Sequence, residues 1–370
     1  MATANGHGLQ SLRQEVLEAG LCTYCGACSG LCPYLRPFQG RIAVLDPCPV
    51  VQGRCYSFCP RTGLDMDALT QALHGTGYDG SPLGPVRRVL MARSRDPEVL
   101  AHAQYGGVVT TLVCLALDEG LVQGAVLTRS QGGIPQGVVA TRREEVLQCA
   151  GSHYLASPTL EALNRLSPRT VPVAVVGTPC QMLALAKMRL SPLAQRSNIG
   201  KVSLTIGLFC TWALSHKFLE MLSTVASPER VRKTDVPPPP ARVFEVHTEA
   251  GVVALPLDAV RAYIPPACTL CADMTAEMAD LSVGSAEGVP GWNTVLVRTP
   301  RGETLVERAV ARGLLAVDAL PQANLEHLTE SAQVKKRRAL QNLAQRSGRP
   351  TDFLYLRLSR EVAGRLLGTP

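Results

Sequence analysis

The sequence contains few aromatic side chains, which account for 4% of its 370 residues. Single-stranded nucleic acids are bound by stacking bases on such rings within a basic groove, and here no basic stretch is interleaved with aromatic residues. The formal net charge of +7 is a mild excess for this length, and it suits an anionic cofactor or an acidic protein partner. We therefore expect no nucleic-acid partner. The one dense basic run, 335–338, is predicted to be a solvated helix face or a partner contact.

Long apolar runs are also missing. The two most hydrophobic stretches, 108–117 and 202–214, are interrupted by Thr, Ser, Gly or Cys and are shorter than the ~20 residues that cross a bilayer. The first residues, 1–8, have neither a basic start nor an apolar core, so no export signal is expected. These absences predict a cytoplasmic protein without a membrane span. No Ser-His-Asp or paired-carboxylate constellation is visible, so we expect no hydrolytic chemistry.

Cysteine, in contrast, is abundant, with 13 residues. In a reducing compartment disulfides are rare, and clustered thiols more often bind metal. Cys114 and Cys149 have no partner at ligand spacing and are predicted to be small buried hydrophobic residues. The other cysteines form two groups along the chain, one within 22–59 and one within 180–271.

The first group opens with the spacing C-x2-C-x2-C-x3-C-P, from Cys22 to Pro33. This spacing wraps three thiolates around one [4Fe-4S] cube and sends the fourth to another centre. In the two-cluster pattern, the last cysteine of the second run completes the first cluster. The sequence therefore predicts a first cluster on Cys22, Cys25, Cys28 and Cys59.

Three thiols of this group remain: Cys32, Cys48 and Cys55. A regular second run would carry cysteines at 49, 52 and 55, but Pro49 and Gln52 stand there and Cys48 is one place early. The three thiols can hold a [4Fe-4S] cube with an odd fourth ligand, a three-iron cluster, or nothing. Structural zinc is the alternative for the whole block, since paired C-x2-C units also bind zinc. The C-x3-C-P endings favour iron-sulfur ligation.

The second group combines a C-x2-C clamp, Cys268 and Cys271, with two cysteines that follow apolar runs. Cys180 ends the run 171–180 and Cys210 ends the run 202–210, and both runs read as buried strands because they are short and β-branched. Cofactors collect outside the carboxyl ends of parallel strands, so neighbouring strands would present both thiols at one edge. The sequence predicts a second four-thiolate site on these four cysteines.

A glycine pair, Gly106-Gly107, precedes the apolar segment 108–120, which is predicted to be a buried helix. Free backbone N–H groups at the start of a helix attract anions, so this end can hold the diphosphate of a flavin dinucleotide. Taken without context, such a pair is more commonly a turn.

The order of these segments predicts an α/β (α+β) flavin-binding domain behind an N-terminal domain like a two-cluster ferredoxin. Residues 1–75 are predicted to form the ferredoxin-like iron-sulfur domain, and residues 84–226 the flavin-binding domain that carries Cys180 and Cys210. Residues 241–330 are predicted to form a C-terminal domain with Cys268 and Cys271, and residues 331–370 a basic helical tail. The proline-rich stretch 227–242 is predicted to be an extended connection.

Several segments, in this order, resemble the family formed by the β-subunits of the coenzyme F420 hydrogenases and dehydrogenases. They are GGVVT from Gly106, GSHY from Gly151, VGTPCQ from Val176, GLFC from Gly207, the stretch 268–284 and the strand that starts at Gly291-Trp292. The resemblance implies an iron-sulfur flavoprotein that binds FAD and two or three clusters. Such a protein passes electrons between a two-electron (hydride) carrier and one-electron clusters, as a subunit of a hydrogenase, formate dehydrogenase or heterodisulfide-reductase-like complex.

The motifs and the resemblance together nominate the cofactor-contacting residues. These are Gly106, Gly107, Val108, Thr110, Ser152, His153, Tyr154, Thr178, Gln181 and Asp273. For Asp273, capping of a helix start is an equally good interpretation. The expected partners are other subunits of the complex and either ferredoxin or a soluble hydride carrier. A stand-alone ferredoxin-dependent reductase of an organic substrate is the alternative function, and a zinc-stabilised interaction module is a third.

The sequence departs from the family at two positions. The family often has Ser where this chain has Tyr105, and Lys where it has His153. If either position touches the flavin or its hydride partner, that partner need not be the deazaflavin.

Overall fold

An eight-stranded mixed sheet forms the centre of the computed structural model, which describes residues 7–227, 230–238 and 240–368. The strands of the chain are β1 Leu35–Phe38, β2 Arg41–Val44, β3 Leu64–Asp65, β4 Arg88–Ser94, β5 Gly124–Gln131, β6 Ile134–Ala140, β7 Val173–Gly177, β8 Val202–Leu208, β9 Val231–Asp235, β10 Val243–Thr248, β11 Gly251–Pro256, β12 Leu281–Ser285, β13 Asn293–Val297, β14 Leu315–Asp318 and β15 Leu356–Arg357.

The helices are short in the first 60 residues and longer around the sheet. They are α1 Leu9–Leu12, α2 Arg54–Ser57, α3 Met66–His74, α4 Pro97–His102, α5 Val108–Asp118, α6 Arg143–Leu147, α7 Leu160–Asn164, α8 Pro179–Leu190, α9 Phe218–Ser223, α10 Leu257–Arg261, α11 Pro266–Thr269, α12 Pro300–Ala311, α13 Gln322–Ser347 and α14 Arg360–Leu367, with a π-helical turn at Arg13–Leu17 and 3-10 turns at Ala194–Arg196 and Ile199–Lys201. The predicted buried helix after Gly107 is α5.

The order of strands in the large sheet is β14-β4-β13-β12-β8-β7-β5-β6. The four central neighbours, β12, β8, β7 and β5, are parallel, and the flanking strands pair antiparallel. The predicted strands before Cys180 and Cys210 are therefore the adjacent parallel strands β7 and β8. Their carboxyl ends lie at the same edge of the sheet, as the sequence predicted.

The two faces of the sheet bury different partners. Along β7, Ala174 and Val176 belong to the core that α5 and α12 cover, whereas Val173 and Val175 belong to the core shared with α8. This alternation is the ordinary consequence of side chains pointing to opposite faces of a strand. The α8 core continues without a break into residues of the cysteine-rich block and into α13 and α14. The N-terminal block thus packs on the α8 face.

Hydrogen bonds to backbone carbonyls fasten the N-terminal block to the sheet domain. The Leu160 N–H donates to the Cys25 carbonyl at 3.1 Å, and the Asn164 side-chain amide donates to the carbonyls of Ala27 and Ser29 at 3.0 and 2.7 Å. Gly26 has φ +86°, and a Cβ there would lie 2.3 Å from the Pro158 carbonyl oxygen. A side chain at Gly26 would therefore push the first cysteine run away from α7.

A small antiparallel sheet, β11-β10-β9, is formed by the part of the chain between β8 and β12 of the large sheet. The expectation that 227–242 is only an extended connection is wrong for Val231–Asp235, which form β9 on the edge of β10. The run looks polar and proline-flanked, but backbone pairing with β10 does not need a hydrophobic pattern. Pro228, Glu229 and Pro239 of that stretch lie outside the described residues.

The basic run 335–338 lies on α13, and only half of it faces solvent. Lys335 and Lys336 are 3% and 1% exposed, whereas Arg337 and Arg338 are exposed. The helical period turns 335, 336, 339 and 340 toward the core, where the Lys336 ammonium meets the Glu277 carboxylate at 2.8 Å. The prediction of a solvated face is therefore wrong for the two lysines, because their partners come from distant segments.

Among the described residues, no helix combines the length and the hydrophobicity that crossing a bilayer requires. The prediction that the chain has no export signal rests mostly on residues 1–6, which lie outside the described part of the chain. Location in the cell and the domain boundaries stay predictions.

Candidate redox site

The first predicted four-thiol set lies together inside the N-terminal block. Cys25, Cys28 and Cys59 are buried, and burial raises the pKa of Cys22, Cys25 and Cys59 to about 12 in each case. The next causes include the neighbouring thiols of the same set. All four cysteines line one small cavity of about 20 Å³, which Leu12 and Val16 also line.

The second set assembles at the carboxyl edge of the sheet. Cys180 lies in the first turn of α8, directly after β7, and Cys210 lies two residues beyond β8. Burial raises the pKa of Cys210, and the thiols of the other three members of the set, Cys268, Cys180 and Cys271, raise it further. The structure thus brings together strand-end cysteines and a clamp that are up to 91 residues apart.

Local hydrogen bonds shape the clamp. The Cys271 N–H donates to the Cys268 carbonyl at 3.3 Å, closing a turn, and the Cys210 N–H donates to the Met274 carbonyl at 2.9 Å. Asp273 is 3% exposed, and its carboxylate accepts the N–H groups of Thr275, Ala276 and Glu277 at 2.8–3.0 Å. Asp273 therefore caps the loop after Cys271, and its oxygens already have partners within the protein.

Sulfur atoms of the second set also receive polar contacts. The Thr178 hydroxyl lies 3.4 Å from Cys180 Sγ. Burial raises the pKa of Cys268 to about 11, and a hydrogen bond from the Ala213 backbone opposes this shift. Hydrogen bonds to the sulfurs are one of the means by which proteins set the reduction potential of iron-sulfur clusters.

The two sets adjoin. Burial raises the pKa of Cys25 and of Cys180, the thiol of Cys180 raises that of Cys25 further, and the Thr23 side chain opposes the shift in both. Hydrogen bonds also join the two segments, because Arg61, two residues after Cys59, donates to the carbonyls of Ala267 and Leu270, which precede Cys268 and Cys271.

The remaining trio, Cys32, Cys48 and Cys55, forms a third group of thiols. Burial raises the pKa of Cys55 to about 11, and the thiols of Cys32 and Cys48 add to the shift. The trio lies beside an exposed loop in which Val50 and Val51 are 53% and 66% exposed. Within the described residues, no group of three or more His, Cys, Asp or Glu side chains has the spacing of ligands to a single metal ion.

The start of α5 lies at the same edge of the sheet as the second set. Gly107 is its N-cap with φ +70°, and the Val108 N–H donates to Asn293 Oδ1 at 3.3 Å, at the first residue of β13. The Val108 N–H is therefore not available to an anion. For the N–H groups of Val109 and Thr110, no acceptor is found in the described part of the chain.

Tyr154 contacts the segment that follows Cys210. Its carbonyl accepts the Leu214 N–H at 2.7 Å, and its ring lies 6.2 Å from that of Trp212. The Tyr105 hydroxyl donates to Asp235 Oδ1 at 3.0 Å, and Asp235 also raises the pKa of Tyr154 after the larger effect of burial. Ser152 and His153, in contrast, are exposed.

Thr178 and Gln181 form a capping box at the start of α8. The Gln181 side-chain oxygen accepts the Thr178 N–H at 2.8 Å, and its amide nitrogen donates to the Ser157 carbonyl at 3.1 Å. Gln181 is 4% exposed. The box holds Cys180 at a defined position in the first turn of the helix, so both residues serve the thiol site whatever else they contact.

Sequence reasoning missed four residues of this region: Thr23, Arg61, Asp235 and Lys335. The Lys335 ammonium donates to the carbonyls of Cys210 and Asp273 at 2.6 and 2.7 Å, which places a buried cation at the second set. In the sequence, only Thr23 and Arg61 could have been noticed, because they lie within two residues of the motif cysteines Cys22 and Cys59. Asp235 and Lys335 lie more than 60 residues along the chain from the partners they contact.

The chain is similar in sequence and in fold to subunits of known oxidoreductases. The chain is 31% identical over 283 residues to the coenzyme F420 hydrogenase subunit beta of Methanothermobacter thermautotrophicus, covering 73% of this chain and 99% of that protein. It is 28% identical over 331 residues to a subunit of the F(420)H(2) dehydrogenase of Methanosarcina mazei, covering 87% and 91%. A chain of the F420-reducing [NiFe] hydrogenase complex from Methanosarcina barkeri superimposes with TM-score 0.68 at 33% identity, covering 72% and 94%.

The fold and these relatives define the chain as a subunit of an oxidoreductase, as the sequence predicted. Residues 89–164 match the N-terminal part and residues 171–323 the C-terminal part of the family described as coenzyme F420 hydrogenase/dehydrogenase, beta subunit. The chain belongs to this family, and the resemblance proposed from the motifs is confirmed. The cysteines within 22–59 precede the matched region.

Proposed function

We propose that this chain is an iron-sulfur flavoprotein that exchanges electrons between a two-electron carrier and one-electron clusters within a redox complex. One observation carries the proposal: the two four-thiol sets adjoin, because Arg61, two residues after Cys59 of the first set, donates to the carbonyls that precede Cys268 and Cys271 of the second. Two clusters so close together form a path for single electrons. The names of the relatives, which are subunits of a hydrogenase and of a dehydrogenase, support a role within a larger complex.

Both sets fit [4Fe-4S] clusters. The first offers four thiols that line one cavity, and the second offers four thiols with the Thr178 hydroxyl beside Cys180 Sγ. Burial raises the pKa of Cys22 and of Cys210, so binding a cluster on these thiols releases protons. When bound, the clusters accept and release one electron at a time. The trio Cys32, Cys48 and Cys55 is the candidate for a third cluster.

A flavin, most simply FAD, fits the start of α5. The N–H groups of Val109 and Thr110 and the positive end of the helix dipole would hold its diphosphate without a charged side chain. Tyr105 and Tyr154, joined through Asp235, would flank it on the side of Cys210. When bound, the flavin supplies the exchange between two-electron and one-electron chemistry.

A negative charge in the first turn of α5 tests the flavin site. Val109 is half-buried, and Val109→Asp would place a carboxylate where the diphosphate is proposed, while the helix dipole itself favours an acid there. We expect this variant to fold and to lose FAD affinity at least about tenfold, because like charges repel in a partly desolvated site. The measurement is quenching of FAD fluorescence during anaerobic titration of protein reconstituted with iron and sulfide.

The matched control is Val109→Asn, which has the same shape without the charge and should retain FAD. Gly107 is a poorer target, because a Cβ there would lie 2.8 Å from Val99 Cγ1 and the φ of +70° strains any other residue. Equal FAD affinity in Val109→Asp and the wild type would refute the site at α5. A wild-type chain that holds clusters but takes up no flavin would place the flavin in another subunit.

A further inference from the structure

Arg61 lies at the junction of the two thiol sets. It follows Cys59-Pro60 of the first set and is 5% exposed. Its Nη2 donates to the Ala267 carbonyl at 3.0 Å and its Nη1 to the Leu270 carbonyl at 3.2 Å. These are the residues immediately before Cys268 and Cys271. One guanidinium from the first set therefore holds both arms of the clamp of the second.

The orientation of Arg61 is itself fixed by the tail of the chain. The Tyr355 ring stacks on the guanidinium at 4.5 Å, and the Tyr355 hydroxyl donates to the same Leu270 carbonyl at 2.8 Å. A planar fork of donors suits two carbonyls at once, and a lysine could not reproduce it. The geometry at the junction thus depends on the guanidinium group and not on charge alone.

Across the described residues, no acidic side chain lies within ion-pair distance of Arg61. Its charge instead lies beside both sets, because Arg61 is two residues from Cys59 and its guanidinium is bonded to the carbonyls that precede Cys268 and Cys271. A buried cation stabilises the more negative, reduced state of a nearby cluster, because net charge is one of the factors that set its potential.

We infer that Arg61 is a positioning residue shared by both cluster sites, which joins the Cys268–Cys271 clamp to the first cysteine block and raises the reduction potentials of both clusters. The inference rests on the proposed function, since it requires a cluster on each thiol set. A single charge between the sets shifts both potentials in the same direction, so Arg61 raises both and leaves the difference between them largely unchanged.

Two other cations, the half-buried Lys187 and the buried Lys335, each contact a single set and provide comparisons. The Lys187 ammonium donates to the Cys59 carbonyl at 2.9 Å and to the Thr62 hydroxyl at 2.6 Å, on the side of the first set. The Lys335 ammonium donates to the Cys210 carbonyl on the side of the second. Removing each cation should therefore change one potential only, whereas removing Arg61 should change both.

The test is an EPR-monitored redox titration of the full chain, reconstituted anaerobically with iron and sulfide. In Arg61→Met we expect both midpoint potentials to fall, each by about tenfold in the equilibrium constant for reduction, or about 59 mV for one electron. Arg61→Lys keeps the charge and should show a smaller fall. Lys187→Met should lower the potential of the first cluster alone, and Lys335→Met that of the second alone.

The outcomes separate this inference from the function on which it rests. Two clusters with unchanged potentials in Arg61→Met would overturn the inference and leave the proposed function intact. Arg61→Met could instead lose the second cluster. If Arg61→Lys then keeps both clusters and shows lowered potentials, the inference is supported. A wild-type chain that assembles no clusters on the two sets would overturn the proposed function itself, and the inference with it.

Discussion

Replacing Cys271 with alanine is expected to remove about one cube, roughly four iron atoms per chain, and to leave the cluster of the first set in place. Cys271 is one arm of the clamp, and the remaining thiols at 180, 210 and 268 come from three separate segments. Without the clamp they have no common local structure to hold a cube. Iron and sulfide analysis after anaerobic reconstitution, with the visible spectrum, measures the loss.

The reciprocal variant is Cys25→Ala, which should remove the cluster of the first set and spare that of the second. Cys149→Ala is the matched control, because Cys149 is half-buried and its thiol donates only to the Glu145 carbonyl at 3.2 Å. Its iron content should equal that of the wild type. If Cys271→Ala also retains all its iron, the second site is not a four-thiolate cluster site.

Replacing Lys336 with methionine is expected to lower the free energy of unfolding by about 3–5 kcal/mol, the cost of leaving one charge of a buried pair without its partner. Lys336 and Glu277 both have side chains 1% exposed, with 2.8 Å between Lys336 Nζ and Glu277 Oε1. The ammonium also donates to the Ser81 carbonyl at 2.6 Å and the Tyr78 hydroxyl at 3.0 Å. The pair thus joins α13, the 274–280 loop and the segment before β4.

Burial raises the pKa of Glu277 to about 7 even with Lys336 opposing the shift. Without the ammonium, Glu277 would take up a proton on folding near neutral pH, and the loss of stability would be largest at high pH, where the carboxylate must be buried charged. Urea unfolding followed by circular dichroism, at pH 6 and pH 9 (both chosen as about one to two units from that pKa), measures this dependence.

Arg337→Met is the matched control for Lys336→Met, since Arg337 is the next residue of the same helix and is exposed. It should unfold at the wild-type urea concentration. The double variant Glu277→Leu with Lys336→Met should recover most of the loss, because a well-packed apolar pair replaces a buried ion pair at little cost. If Lys336→Met unfolds at the same urea concentration as Arg337→Met, the buried pair does not stabilise the fold.

The arrangement of cysteines could be predicted because its signals are local. The spacing from Cys22 to Cys32 is itself the geometry of a cluster-binding loop. Cys180 and Cys210 were recognised because β7 and β8 are short β-branched runs whose carboxyl ends must meet if the strands are parallel neighbours. The buried helix after Gly107 and the family membership also followed from contiguous residues.

What only the tertiary structure decided are pairings between segments far apart in the chain. The side chains of Lys335 and Lys336 form a basic run in sequence and are buried because Cys210, Asp273, Glu277 and Ser81 offer oxygen atoms at that place. The Val108 N–H donates to Asn293 Oδ1, 185 residues away, and is therefore not available to an anion. A periodic pattern reports which face of a helix is apolar, and it carries no information about which distant carbonyl or carboxylate will satisfy a buried charge.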